Sequence, residues 1–236
     1  VAFTFLLVFG SFALSIVLAW ALLLPPNACT RVISIVYGGY IAWIERNILG
    51  LKLELRGLEN LPEGHRFIIA AKHQSAFETL KLPYMQRLFY PVIVLKKELI
   101  YLPFWGLYPL RMGLIAIDRK AGTKALSQMV AGCRRAFDMG RPVSIFPEGT
   151  RKAVGAAPEY KAGLARLYRD LEVPVVPMAL NSGVFWGRNK FSKQPGTVVF
   201  EFLPAIPAGM PPLQMMAQLE QQIESATNKL VSEARG

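Results

Sequence analysis

An α/β fold is what the apolar patterning of this chain predicts, with a mixed, largely parallel sheet flanked by helices. Short apolar runs of strand length recur along the chain. Longer segments with helical spacing separate them, and no repeat, low-complexity tract or second-domain linker interrupts the series. At 236 residues the chain is long enough for one such domain and a small accessory element.

The first 24 residues contain no charged side chain. One continuous helix over them would be about 36 Å long, enough to cross the hydrocarbon core of a bilayer. A cleaved signal peptide would need a basic start, a shorter apolar block and a small-residue cleavage site, and none stands out. After Pro25 and Pro26, a second apolar stretch over residues 32–44 is too short to span. Ile33, Val36, Tyr37, Tyr40, Ile41, Ile44 and Ile48 recur there at helical spacing, with Arg31, Glu45 and Arg46 at the ends. That pattern suits a helix lying in the membrane interface, or a helix of the core. Residues 1–48 therefore read as a two-helix membrane-anchoring element and residues 49–236 as the α/β domain. Basic residues follow the first helix, beginning with Arg31, Arg46, Lys52 and Arg56, which by the positive-inside rule puts the domain on the cytoplasmic side.

Leu51-Lys-Leu-Glu-Leu-Arg56 alternates strictly and predicts a half-buried strand. Further strands are predicted over residues 67–71, 92–95, 114–117, 143–146, 173–180 and 198–203. Residues 123–139 and 160–171 read as helices between them, and residues 211–234 as a polar, glutamine-rich C-terminal helix.

Composition narrows the partners. The formal charge of +11 calls for something anionic: a nucleic acid, an anionic bilayer or an anionic substrate. The lysines and arginines are scattered, and no zinc-finger or RNA-recognition signature accompanies them, which argues against nucleic acid. Cys29 and Cys133 make neither a disulfide framework nor a metal-ligand spacing, and His65 and His73 are the only histidines, so no metal site is expected. A reducing compartment is the default for such a chain.

Two segments carry chemistry. In His73-Gln-Ser-Ala-Phe-Glu78, base and acid stand five residues apart. On one helix that separation is about 140° around the axis, which keeps the side chains apart. They meet only if His73 lies on the turn after a strand and Glu78 in the first turn of the next helix. The apolar run ending at Ala71 and the N-cap candidate Ser75 fit that arrangement. Ser75-Ala-Phe-Glu78 equally fits a capping box, in which Glu78 serves the Ser75 backbone N–H instead.

The second segment, Phe146-Pro-Glu-Gly-Thr-Arg151, follows the predicted strand at 143–146. Pro147 and Gly149 force a turn at the strand end, where α/β folds bind ligands, and Arg151 offers a planar fork for phosphate oxygens. Gly113 to Arg119 is another short strand ending in arginine. Lys96-Lys-Glu-Leu99 follows a third and reads equally well as solvated charge.

Taken together these blocks resemble the glycerolipid acyltransferases, in particular the bacterial 1-acyl-sn-glycerol-3-phosphate acyltransferases. The blocks are Lys72 to Glu78, Gly113 to Arg119, Phe146 to Arg151 and Val173 to Ala179, in the family's order. The resemblance implies that His73 is the general base on the sn-2 hydroxyl of lysophosphatidic acid and that Glu78 orients its imidazole. It implies that Arg119 and Arg151 hold the phosphate, with Glu148, Gly149 and Thr150 shaping that pocket, and that Lys96 assists at the oxyanion or thioester. No resident cofactor is implied; acyl-CoA or acyl carrier protein brings the acyl chain as co-substrate. The setting implied is the bacterial inner membrane, with the catalytic domain on its cytoplasmic face. Aspartate is the family's usual acid, and Glu78 is one methylene longer. Acylation of another lysolipid, such as a lyso-ornithine lipid, and a non-catalytic lipid-binding role stand as alternatives. A serine hydrolase is disfavoured because no Gly-x-Ser-x-Gly occurs.

Overall fold

A computed structural model describes residues 2–118 and 121–236, apart from the side chain of residue 87. Its strands are β1 (Leu51–Arg56), β2 (Ile68–Ala71), β3 (Val92–Lys96), β4 (Ile115–Ile117), β5 (Val143–Ile145), β6 (Val175–Leu180) and β7 (Gly196–Phe202). Its α-helices are α1 (Ala2–Phe5), α2 (Ser11–Val17), α3 (Pro26–Ile48), α4 (Phe77–Lys81), α5 (Leu107–Arg111), α6 (Gly122–Asp138), α7 (Gly163–Leu171), α8 (Ser182–Phe185) and α9 (Pro212–Glu233). Every strand falls within two residues of its expected position. The second long helix starts at Gly163 instead of Tyr160, because residues 151–162 form an irregular connection after the Phe146–Arg151 turn.

The chain divides into two compact units, residues 1–49 with 80–143 and residues 50–79 with 144–236. The second unit holds a sheet in the order β1-β7-β6-β2-β5. Strands β1 and β7 pair in parallel, as do β2 and β6, whereas β6 and β7 are antiparallel. All six residues of β6 are buried, which is why that strand reads as a continuous apolar run without alternation. Helix α9 covers the sheet with a stripe of Met215, Leu219, Ile223, Thr227, Leu230 and Val231. Leu230 closes a core cluster with Ala179 of β6 and Val199 of β7. The polar helix expected at the C-terminus is thus amphipathic, with one apolar stripe on the sheet.

In the first unit β3 and β4 form a parallel pair, and α6 packs on β4. Gly132 allows that approach, since a Cβ there would lie 2.8 Å from Ile115. The expected continuous helix over residues 1–24 is corrected. Regular helix covers only α1 and α2, separated by a π-turn at Leu6–Gly10 and followed by a 3₁₀ turn at Ala19–Leu23. The break has a long-range cause. The Tyr40 hydroxyl of α3 donates to the Leu6 carbonyl at 2.7 Å, and a Cβ on Gly10 would sit 1.9 Å from that hydroxyl. Glycine at position 10 therefore admits α3 against the π-turn. Among the described residues, no helix is long and apolar enough to cross a membrane. Helix α3 extends beyond the apolar stretch at both ends and buries Ile33, Tyr37, Ile41 and Ile44, leaving Val36 and Ile48 exposed.

Candidate active site

The His73 motif adopts the strand, turn and helix that its spacing demanded. Strand β2 ends at Ala71, residues 72–76 turn, and α4 begins at Phe77. The Nδ1 of His73 lies 3.2 Å from Oε1 of Glu78. The same oxygen accepts the backbone N–H groups of Gln74 at 2.6 Å and Ser75 at 2.7 Å. Ser75 Oγ accepts from the N–H of Phe77 at 3.1 Å. The two readings left open by local sequence are therefore both realised, because one carboxylate closes the capping box and meets the imidazole. Glu78 is fully buried, and its second oxygen accepts a hydrogen bond from the Ser182 hydroxyl at 2.9 Å. An ionised Glu78 can only accept, so it selects the tautomer of a neutral His73 in which Nδ1 carries the proton and Nε2 the lone pair.

The Phe146–Arg151 segment builds the other side of the histidine. The Gly149 N–H bonds the Phe146 carbonyl at 2.9 Å, closing a turn with Pro147 at its second position. Gly149 has φ +66°, a left-handed conformation that side chains resist. The turn sends three groups to His73. The Phe146 ring stacks on the imidazole, with centroids 3.9 Å apart and planes 17° from parallel. Oε2 of Glu148 accepts the His73 backbone N–H at 3.2 Å, and the Lys152 N–H donates to the His73 carbonyl at 2.8 Å. The imidazole remains partly accessible, with 14% of its side-chain surface exposed.

The structure thus gathers His73, Glu78, Glu148, Gly149, Thr150 and Arg151 in the second unit. Glu148 departs from its expected place in a ligand pocket. It is completely buried, and its oxygens are taken by the Lys72 ammonium at 2.8 Å and the His73 N–H. Arg151 is half-buried and Thr150 is exposed, and the Arg151 carbonyl accepts from the Arg188 guanidinium at 2.8 Å, which brings a second arginine to that loop. Lys96 belongs to the first unit, exposed at the end of β3. Arg119 lies outside the described residues.

Sequence reasoning missed Phe146 as a stacking partner, and Ser182 and Arg188 entirely. The stack was within reach, because an aromatic side chain opening the turn was visible. Ser182 stands 104 residues from Glu78, and no local pattern announces it.

Known proteins resemble this chain in sequence and in fold. The sequence model of the acyltransferase family matches residues 52–181. A 1-acyl-sn-glycerol-3-phosphate acyltransferase of Pseudomonas aeruginosa is 34% identical over 212 residues, which is 89% of this chain and 81% of that protein. The human 1-acyl-sn-glycerol-3-phosphate acyltransferase alpha is 31% identical over 138 residues, 57% of this chain and 47% of that protein, so the chain spans about half its length. The crystal structure of the 1-acyl-sn-glycerophosphate (LPA) acyltransferase PlsC from Thermotoga maritima superposes with a TM-score of 0.70. It covers 97% of this chain and 92% of that chain, and at 18% identity it speaks for the fold. The chain belongs to the acyltransferase family. Its mixed, mostly parallel sheet flanked by helices is the fold of that structural neighbour.

Proposed function

We propose that this protein transfers a fatty acyl chain from a thioester to the sn-2 hydroxyl of 1-acyl-sn-glycerol 3-phosphate, giving phosphatidic acid. The observation that carries the reading is the His73–Glu78 pair seated on the Phe146–Arg151 turn. Nε2 of His73 takes the hydroxyl proton as the oxygen attacks the thioester carbonyl. Glu78 holds the Nδ1 tautomer and stabilises the imidazolium that forms. As the tetrahedral intermediate collapses, the new ester bond is kept and the C–S bond breaks. The imidazolium proton passes to the departing thiolate. The acceptor itself is the nucleophile, so no acyl-enzyme is needed.

Arg151 receives the acceptor's phosphate, supported by Arg188 on the neighbouring loop; the family resemblance gives Arg119 the same task. Guanidinium groups suit this task because they bind phosphate oxygens in pairs. Lys96 assists at the donor. The donor is acyl-CoA or acyl carrier protein, and a net charge of +11 suits either anionic carrier.

The first unit supports work at a bilayer surface. It exposes Phe5, Phe9, Phe12, Trp20, Leu23 and Trp43, and with them Tyr101, Phe104, Leu107 and Leu110. Phe12 and Phe104 meet edge to face with centroids 5.3 Å apart, which joins these two stretches into one apolar surface. A surface of that kind anchors by inserting side chains among the headgroups without a spanning helix. Flotation with vesicles carrying anionic lipid tests the anchor, and protein left at the bottom of the gradient would contradict it.

The reaction is tested in detergent by following thiol release with lysophosphatidic acid and each donor. Phosphatidic acid formation is expected with one or both. Transfer to another lysolipid but not to lysophosphatidic acid would overturn the acceptor assignment. Lipid binding without thioester consumption would overturn catalysis.

A further inference from the structure

The C-terminal helix lies outside all four sequence blocks, yet one of its side chains enters the base of the site. Nζ of Lys72 stands 2.8 Å from Oε1 of Glu148 and 2.7 Å from Oε1 of Glu224 on α9. The Tyr160 hydroxyl donates to the same Glu224 oxygen at 2.9 Å. Lys72 is 3% exposed, Glu148 is not exposed at all, and Glu224 is 21% exposed. The run therefore goes inward from Glu224 through Lys72 and Glu148 to the backbone N–H of His73. Its outer members, Glu224 and Lys72, line a cleft of about 470 Å³ along one face of α9.

We propose that Glu224 is a positioning residue for the His73 base, acting through Lys72 and Glu148. The inference rests on the reading of His73 as the base of acyl transfer. A lysine ammonium offers three hydrogens, and its direction is set by the acceptors it finds. Two carboxylates on opposite elements hold Lys72 in line, and Lys72 in turn holds Glu148, whose other oxygen fixes the His73 N–H. Burial and the adjacent Glu224 carboxylate both push the Tyr160 hydroxyl up, so it stays protonated and donates. Without Glu224, Lys72 keeps a single carboxylate partner, and the peptide of His73 loses the rigidity of its anchor. The imidazole then drifts from the geometry set by Glu78 and Phe146. Misplacement of a reacting group by about 1 Å costs on the order of a hundredfold in rate.

The network is anchored by α9 itself. Ile223 and Thr227 are buried on the sheet side, so Glu224 is held at the edge of that stripe. Helical packing places the carboxylate, and the carboxylate places the lysine.

The test is Glu224→Gln, with Tyr160→Phe as the milder change at the same oxygen and Glu220→Gln as the control. Glu220 lines the same cleft but makes no bond in the run. Expected for Glu224→Gln is a kcat lowered roughly 10- to 100-fold with both KM values near wild type. Tyr160→Phe should lower kcat about two- to fivefold. Glu220→Gln should leave it unchanged. Lys72→Gln combined with Glu224→Gln should cost clearly less than the product of the two single effects. Because His65 and His73 are the only histidines, a nuclear magnetic resonance titration in a His65→Gln background follows the His73 imidazole directly. Its resonance should move in Glu224→Gln. Lowered melting temperature with unchanged kcat per folded molecule and an unmoved His73 signal would reduce Glu224 to a structural residue and overturn the proposal. Absence of transfer in the wild type would instead refute the acyl-transfer reading, and the His73 signal would still decide whether Glu224 positions it.

Discussion

Oε1 of Glu78 lies 3.2 Å from Nδ1 of His73 while accepting the backbone N–H groups of Gln74 and Ser75. The acid is thus fastened to the turn that presents the base, and the orientation of the pair is built into the start of α4. Glutamate in place of the family's usual aspartate is accommodated by this arrangement. Its longer side chain curls back onto the helix start and still meets the imidazole.

Glu78→Gln should therefore lower kcat by about 10³- to 10⁴-fold, because an amide no longer enforces the Nδ1-protonated tautomer. Its amide N–H group would also face the donors of Gln74, Ser75 or Ser182. Glu78→Asp should be milder than Gln, since charge is retained although reach is lost. Steady-state rates with parallel thermal melts check this. Full activity in the glutamine variant, with only a lowered melting temperature, would leave Glu78 as a helix cap alone.

Ser182→Ala removes what is, among the described residues, the only side-chain donor to Oε2 of Glu78. A hydrogen bond to a buried carboxylate contributes roughly 1.5 to 3 kcal/mol. If about half of that bears on the transition state, kcat falls roughly three- to tenfold. An unchanged kcat in the folded variant would detach Ser182 from the pair.

Arg151→Ala should raise the KM for the lysolipid about 10- to 100-fold, as expected for loss of charge-assisted bonds to phosphate. Arg188→Ala should raise it less. An effect confined to kcat with the acceptor KM unmoved would contradict a phosphate-holding role.

Glu45 supplies a pH dependence of stability apart from catalysis. Burial pushes its carboxyl up to about 6 from an ordinary 4.5, against the opposing pull of the nearby Lys81 ammonium. The folded state therefore holds this proton more tightly than the unfolded state. The stabilisation is complete below about pH 4.5 and is lost as pH rises through about 6. It amounts to roughly 2 kcal/mol. Glu45→Gln lacks this titration, so the variant's melting temperature relative to wild type should rise between pH 4.5 and 7. A difference flat across that range would contradict it.

How much was legible in the sequence follows from the range of the contacts involved. The first strand was a strictly alternating segment and the others were apolar runs between turn residues, and that information is local. The His73–Glu78 geometry was legible because a five-residue separation excludes a single helix. What escaped depends on distant partners. The N-terminal helix breaks because Gly10 meets Tyr40, and the apolar pattern of residues 1–24 carries no trace of that. Glu148 was given a part in shaping the phosphate pocket by the family resemblance. Its burial is decided by Lys72, which Glu224 holds from a helix far along the chain. The alternative roles of Glu78 are compatible because one carboxylate oxygen accepts more than one donor: Oε1 takes the Ser75 N–H and meets Nδ1 of His73 together.

The most direct test of the account is His73→Ala, assayed for thiol release and phosphatidic acid formation beside wild type in the same detergent. With His73 as the base, the variant should lose at least about 10³-fold in kcat, within the range of a lost general base, while its melting temperature stays near wild type. Transfer within tenfold of wild type by the folded variant would contradict the central claim.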